Sequence, residues 1–141
     1  MKRVFADTAY WIALTNPFDQ HHDVAIQCSS SLVGARILTT DAVLIEFLNA
    51  LAEKDPHIRG AAIRAVEAIL SNPRVTVLPQ NRSSFIKGFA FYKAPADKGY
   101  SLTDCLSMTA MRDHRLSEVL TTDRHFEQEG LVALMASKAR R

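Results

Sequence analysis

Glycine and proline are scarce in this chain, five of each in 141 residues, and only two cysteines are present. The scattered glycines form no G-x-x-x-x-G-K-[ST] phosphate loop, no G-x-G-x-x-G fingerprint and no G-x-S-x-G elbow, so nucleotide-cradling loops and serine-hydrolase chemistry lack their usual signatures. Cys28 and Cys105 lie far apart, without the paired spacing of a zinc site or redox motif, and are expected as reduced, partly buried thiols. No apolar run approaches the ~20 residues of a membrane span. The start meets Asp7 before any stretch long enough for a signal peptide, so the expected compartment is the cytoplasm, with no membrane partner. Repeats and low-complexity segments are missing as well.

What is present is 48% hydrophobic and 23% charged, with a mean hydropathy of -0.04. A chain of this length buries roughly 68–70% of its unfolded surface. Residues 1–141 are therefore expected to form one domain, and disorder is excluded.

Apolar patterning alternates between two periods. Val4 to Ala6, Arg36 to Thr39, Val75 to Leu78, Glu118 to Thr121 and Leu131 to Leu134 read as short strands. Between them, helical spacing runs over Ala9 to Leu14, from a cap at Asp19 to Leu32, from Asp41 to a break at Asp55-Pro56, and over His57 to Leu70. Further helical segments are expected over Phe85 to Tyr92, Leu102 to His114 and Arg124 to Glu129, with an exposed loop from Pro95 to Gly99. Strands alternating with helices predict an α/β domain with a largely parallel sheet.

The net charge is only +2, too small for a generic polycation. Along the chain it is uneven. Residues 1–56 hold four Lys/Arg against seven Asp/Glu, residues 57–95 hold six against one, and residues 96–141 hold seven of each. The basic middle block is either solvated helix surface or a phosphate-binding flank.

In a parallel sheet, ligands bind beyond the carboxyl ends of the strands, which directs attention to acids that follow strands. Asp7 and Asp123 do so, although Asp is also a favoured helix cap. Asp104 completes an [ST]-x-x-[DE] capping box with Ser101. Glu46 shares a helix side with Asn49 and Glu53, as an ordinary polar face would. Each acid alone has a structural explanation. Brought together, four carboxylates would repel one another and raise each other's pKa unless a cation joined them. An all-oxygen donor set suits Mg²⁺ or Mn²⁺, the ions used to activate water on phosphates. His21-His22 and His125 lack metal-ligand spacing and read as surface or capping residues, while Cys105, Tyr10, Trp11 and Phe89 to Tyr92 read as core.

The order Phe5-Ala6-Asp7-Thr8-Ala9-Tyr10-Trp11, Asp19-Gln20-His21-His22-Asp23-Val24-Ala25, a helix with Glu46, Tyr100-Ser101-Leu102-Thr103-Asp104-Cys105 and Leu120-Thr121-Thr122-Asp123-Arg124-His125-Phe126 resembles the PIN-domain family, and within it the VapC-like ribonuclease toxins of type II toxin–antitoxin pairs. The resemblance spans nearly the whole chain. It implies a three-layer α/β/α sandwich with a mainly parallel sheet of four or five strands. It also implies a metal-dependent endoribonuclease in which Asp7, Glu46, Asp104 and Asp123 bind Mg²⁺ or Mn²⁺. Thr8, Ser101 and Thr122 fall at hydroxyl positions beside those acids, with Asp97 as an auxiliary acid. Some relatives carry a further acid two residues after the last one, where this chain has His125. The resemblance further implies a homodimer restrained by a small antitoxin. Other members act in RNA maturation or DNA repair, and a silent binding module is a third reading. The 57–95 block is then expected to hold RNA phosphates through Arg59, Arg64, Arg82 and Lys87, with Arg112, Arg115, Arg124 and the tail Lys138 to Arg141 as competitors.

Overall fold

A computed structural model of the chain describes residues 1–94 and 98–139. Asp97, part of the expected Pro95 to Gly99 loop, and the tail residues Arg140 and Arg141 lie outside the described residues, as does the side chain of Lys138.

The elements follow in the order β1 (Arg3–Ala6), α1 (Thr8–Thr15), α2 (His22–Ser31), β2 (Arg36–Thr40), α3 (Asp41–Ala50), α4 (Pro56–Ser71), β3 (Val75–Leu78), α5 (Arg82–Lys93), α6 (Leu102–Asp113), β4 (Glu118–Leu120), α7 (His125–Gln128), β5 (Val132–Ala133) and α8 (Leu134–Ala139). Among the described residues the five strands form one sheet in the order β3-β2-β1-β4-β5, and every pairing is parallel. In register, Phe5 stands opposite Leu38 on one side and Val119 on the other.

Parallel neighbours joined through helices cross over with a right hand. From β1 to β2 to β3 the chain steps toward one edge and lays α1 to α4 on one face. From β3 it returns to β4 and then β5, which puts α5, α6 and α7 on the other. Packing agrees, with α1 against α2, α3 and α4, α2 against α8, and α5 against α6. The central strands are covered on both sides, so Val4, Phe5, Ala6, Val119 and Leu120 are fully buried. This explains why β1 and β4 read as continuous apolar runs rather than alternating ones. Phe47, Met111, Phe126 and Met135 close the core from the helices, each large side chain contributing about 1.5–3 kcal/mol by leaving water. Both cysteines are buried.

Four differences from the patterned expectation have local causes. Asp19 does not cap α2, because its carboxylate accepts from the His21 amide at 2.8 Å within its own turn, and the helix starts at His22. The helix from Asp41 stops at Ala50, and Asp55 caps the next one, accepting from Ile58 N at 3.0 Å with Pro56 in its first turn. Pro56 therefore starts a helix, as its fixed φ and missing N–H allow. The last strand shortens to two residues because Leu134 to Ala139 forms α8, whose Met135 fills the core. On α5, Phe91 packs toward Tyr100, whereas Phe89 and Tyr92 remain 41% and 46% exposed.

Candidate functional site

Strand order reverses direction between β1 and β4. Helices leave these two neighbours toward opposite faces, and the carboxyl ends of strands at such a switch point are where parallel sheets bind ligands. Asp7 and Asp123 are the acids that follow these two strands.

Asp7 is held by its backbone. Its amide donates to the Leu120 carbonyl at 3.2 Å, and its own carbonyl accepts from Tyr10 N at 3.1 Å. Just ahead of it, the Thr39 hydroxyl donates to the Ala6 carbonyl at 2.9 Å and accepts from the Trp11 indole at 3.3 Å, tying β2, β1 and α1 together. Asp7 occupies the N-cap position of α1, yet its carboxylate makes no capping hydrogen bond. It accepts instead from the Thr121 hydroxyl at 2.9 Å. The same Thr121 oxygen accepts from the Asp123 amide at 3.1 Å. One buried hydroxyl thus positions both acids across the strand junction. Burial, the largest influence, raises the Asp7 pKa from 3.8 to about 7. The Thr8 amide and Thr121 hydroxyl oppose this rise, and the Asp104 and Glu46 charges reinforce it.

Asp104 arrives on the first turn of α6. The capping box is formed: the Ser101 hydroxyl accepts from Asp104 N at 3.0 Å, and Asp104 Oδ2 accepts from Ser101 N at 3.2 Å. Capping and site membership coexist, because the same Oδ2 also lies 3.3 Å from His125 Nδ1. Burial raises the Asp104 pKa, with the Ser101 amide opposing, the Asp123 charge adding and His125 again opposing. Asp123 Oδ1 accepts from His125 N at 2.9 Å, in a turn that aims the carboxylate back toward the junction. Glu46 stands half-buried on α3 beside a recess shared with Asn49, Gln80, Phe85 and Thr103. Helices α3 and α6 come from opposite faces and pack against each other, which carries Glu46 and Asp104 toward Asp7.

The four acids therefore share one edge of the sheet. Among the described residues no Lys or Arg forms an ion pair with any of them. Like charges gathered without a Lys or Arg partner, in a donor set of oxygens and one imidazole, fit a divalent cation. Asp104, Asp123 and His125 each offer a ligand atom, all within 4.8 Å of one another.

Of the expected hydroxyls, Ser101 caps Asp104, while Thr8 is buried with its oxygen unpartnered. The hydroxyl between the acids is that of Thr121 rather than Thr122. His125, which the sequence suggests as a surface or capping residue, instead faces two carboxylates. Behind it, the Tyr100 ring lies 5.2 Å away, and the Tyr100 hydroxyl donates to Glu129 at 2.7 Å. That bond, together with Lys98, holds the Glu129 carboxyl below its ordinary pKa. Nothing local in the sequence marks Thr121, Tyr100 or Glu129. The β1–β4 register is what singles out Thr121.

The basic block is divided. Arg59 and Arg64 belong to α4 and Arg82 and Lys87 to α5, on opposite faces of the sheet. Arg59 donates to the Ala52 carbonyl at 2.8 Å, and Lys87 pairs with Asp113 at 2.7 Å. Arg82 lies 5.7 Å over the Phe85 ring, and Arg64 is exposed.

The chain is a doubly wound α/β domain with an acidic cluster at the switch point of its parallel sheet. The chain belongs to the PIN-domain family, whose model matches residues 4–130. Among solved structures it is similar to VapC20 of Mycobacterium tuberculosis, a sarcin-ricin loop cleaving toxin, at 25% identity over 92% of this chain and 96% of that one, with a TM-score of 0.83. It shares its fold with VapBC2 of Rickettsia felis, determined bound to a promoter DNA fragment, at 13% identity over 93% and 96% of the two chains and a TM-score of 0.67. FitAcB of Neisseria gonorrhoeae matches at 14% identity over 92% and 95%, with a TM-score of 0.59. No curated protein matches by sequence. Among the described residues no helix is long and apolar enough to cross a membrane.

Proposed function

We propose that this PIN-domain protein is a metal-dependent endoribonuclease, the toxin of a type II toxin–antitoxin pair. The observation that carries the reading is the convergence of Asp7, Glu46, Asp104 and Asp123 at the switch point without a Lys or Arg partner. In this reading the four carboxylates hold Mg²⁺ or Mn²⁺ directly or through water. Such an ion, held by Asp7, Glu46, Asp104 and Asp123, would supply a water of lowered pKa and positive charge for the attacked phosphate. Asp7, fixed by Thr121 and the Leu120 carbonyl, is the rigid side of the site, and its high proton affinity disappears once a cation replaces the proton. Asp104 and Asp123 present the solvent-facing side, 13% and 35% exposed, where a phosphodiester can reach.

The likeness to VapC20 supports RNA as substrate, and the likeness to the VapBC2 and FitAcB structures supports a small antitoxin partner. We assign the active form to a homodimer working in the cytoplasm; of Arg59, Arg64, Arg82 and Lys87, which the fold divides between α4 and α5, Arg64 and Arg82 are the candidates for holding RNA phosphates, since Arg59 donates to the Ala52 carbonyl and Lys87 pairs with Asp113. The deciding experiment incubates the purified protein with structured RNAs in Mg²⁺, Mn²⁺ or EDTA, alongside Asp7→Asn and Asp104→Asn. Cleavage should stop with EDTA and fall by at least about 100-fold in each variant, the scale on which losing a charge-stabilising group is felt. Cleavage that survives chelation, or that both substitutions leave intact, overturns the assignment.

A further inference from the structure

We propose that His125 is a nitrogen ligand of this metal site and that it tunes the site toward a first-row transition ion such as Mn²⁺ over Mg²⁺. The inference rests on the nuclease reading and adds to it a residue and an ion preference.

His125 Nδ1 lies 3.3 Å from Asp104 Oδ2 and 3.4 Å from Asp123 Oδ1. Neighbouring ligands on an octahedral ion with bonds of ~2.1 Å stand about 3 Å apart. The two separations from His125 thus already have nearly the spacing of adjacent ligands, and one ligand atom from each of the three residues lies within 4.8 Å of the others, so a small rotation of the carboxylates brings them onto one ion. The ring is held in that attitude. Its own amide is anchored on Asp123 Oδ1 at 2.9 Å, and the tilted Tyr100 ring backs it at 5.2 Å. Tyr100 is fixed in turn by Glu129 and through it Lys98. Orientation of a ligating imidazole by such outer contacts is a general property of metal sites. An all-carboxylate set suits Mg²⁺, whereas an imidazole adds affinity for transition ions and little for Mg²⁺.

The test is direct binding by untagged protein, read by calorimetry with Mn²⁺ and Mg²⁺ and by pulsed electron paramagnetic resonance of the Mn²⁺-loaded form. The native protein should bind Mn²⁺ at least ~10-fold more tightly than Mg²⁺ and show ¹⁴N modulation from a directly bound imidazole. His125→Ala should lose the ¹⁴N signal and about 10–100-fold in Mn²⁺ affinity, with Mg²⁺ affinity changed far less. His125→Asp should bind both ions with the preference much reduced. Circular dichroism and melting of the metal-free variants establish that they are folded. A Mn²⁺-loaded native protein without ¹⁴N modulation, or equal losses for both ions in His125→Ala, overturns the inference while leaving the nuclease reading intact. Native protein that binds neither ion and leaves RNA uncut brings down both.

Discussion

The β1–β4 junction and the basic block of residues 57–95 are both concentrations of like charge, and the fold treats them in opposite ways. At the junction, acids from four separate segments are drawn to one edge, and their positions are fixed by backbone and hydroxyl contacts rather than by cations. In the basic block, charges adjacent in sequence are sent to two faces, and Lys87 is already satisfied by Asp113. A site is marked by charges the fold has gone out of its way to assemble. Charges that merely share a stretch of chain are not equivalent to it.

The sharpest way to break this contrast is through Thr121. Thr121→Val removes the hydroxyl that orders Asp7 and Asp123, leaves the Asp123 amide without its acceptor and takes away a contact that lowers the Asp7 pKa. Metal affinity measured by titration should fall about 10–100-fold, and Thr121→Ser should restore it. An unchanged affinity would mean the junction is not built around that hydroxyl.

The next effect is on stability against pH. Asp7 has a folded pKa of about 7 against 3.8 in the open chain, so the folded state binds the proton more tightly. Its contribution is therefore greatest at low pH and is lost as pH rises through the interval between those values. The burial-raised pKa of Asp104 acts in the same sense. Metal-free protein should lose on the order of 5–10 °C in Tm from this source between pH 5 and 8. Asp7→Asn should flatten most of that slope, and saturating Mn²⁺ should raise Tm more at pH 8 than at pH 5. Calorimetric scans of the native and variant proteins check all three.

The smallest effects belong to the basic block. If it holds RNA phosphates, Arg64→Ala and Arg82→Ala should each lower the slope of log affinity against log salt by about 1. Lys87→Ala should change it less, because Asp113 already occupies its charge. Slopes unchanged from the native protein in all three variants would reduce the block to solvated surface.

Much of this architecture was legible from local pattern. The five strands and the helices between them are written in apolar runs and helical spacing, and the capping box at Ser101 and Asp104 can be read letter by letter. Asp7 and Asp123 could be singled out because they follow strands. What stayed hidden depends on register and packing between distant segments. Thr121 and Thr122 are adjacent and chemically alike, and only the pairing of Ala6 with Leu120 places Thr121 next to Asp7. His125 follows Asp123 by two residues, a spacing too common to mark a ligand, and the third member of the group, Asp104, comes from α6 twenty-one positions earlier. Helix α8 went unread because its six residues are too few to show a helical period and it is defined by Met135 filling the core.

The hydrogen bond between Asp7 and Thr121 spans 114 positions of the chain. Closing so long a loop is entropically costly and slow, and contacts of this kind form late. A piece that stops before residue 118 contains Asp7, Glu46 and Asp104 but lacks β4, the strand whose pairing with β1 sets Thr121 beside Asp7. The four acids therefore meet only after segments more than a hundred residues apart have docked, so the proposed metal centre is a product of the finished sheet and of no local piece of it.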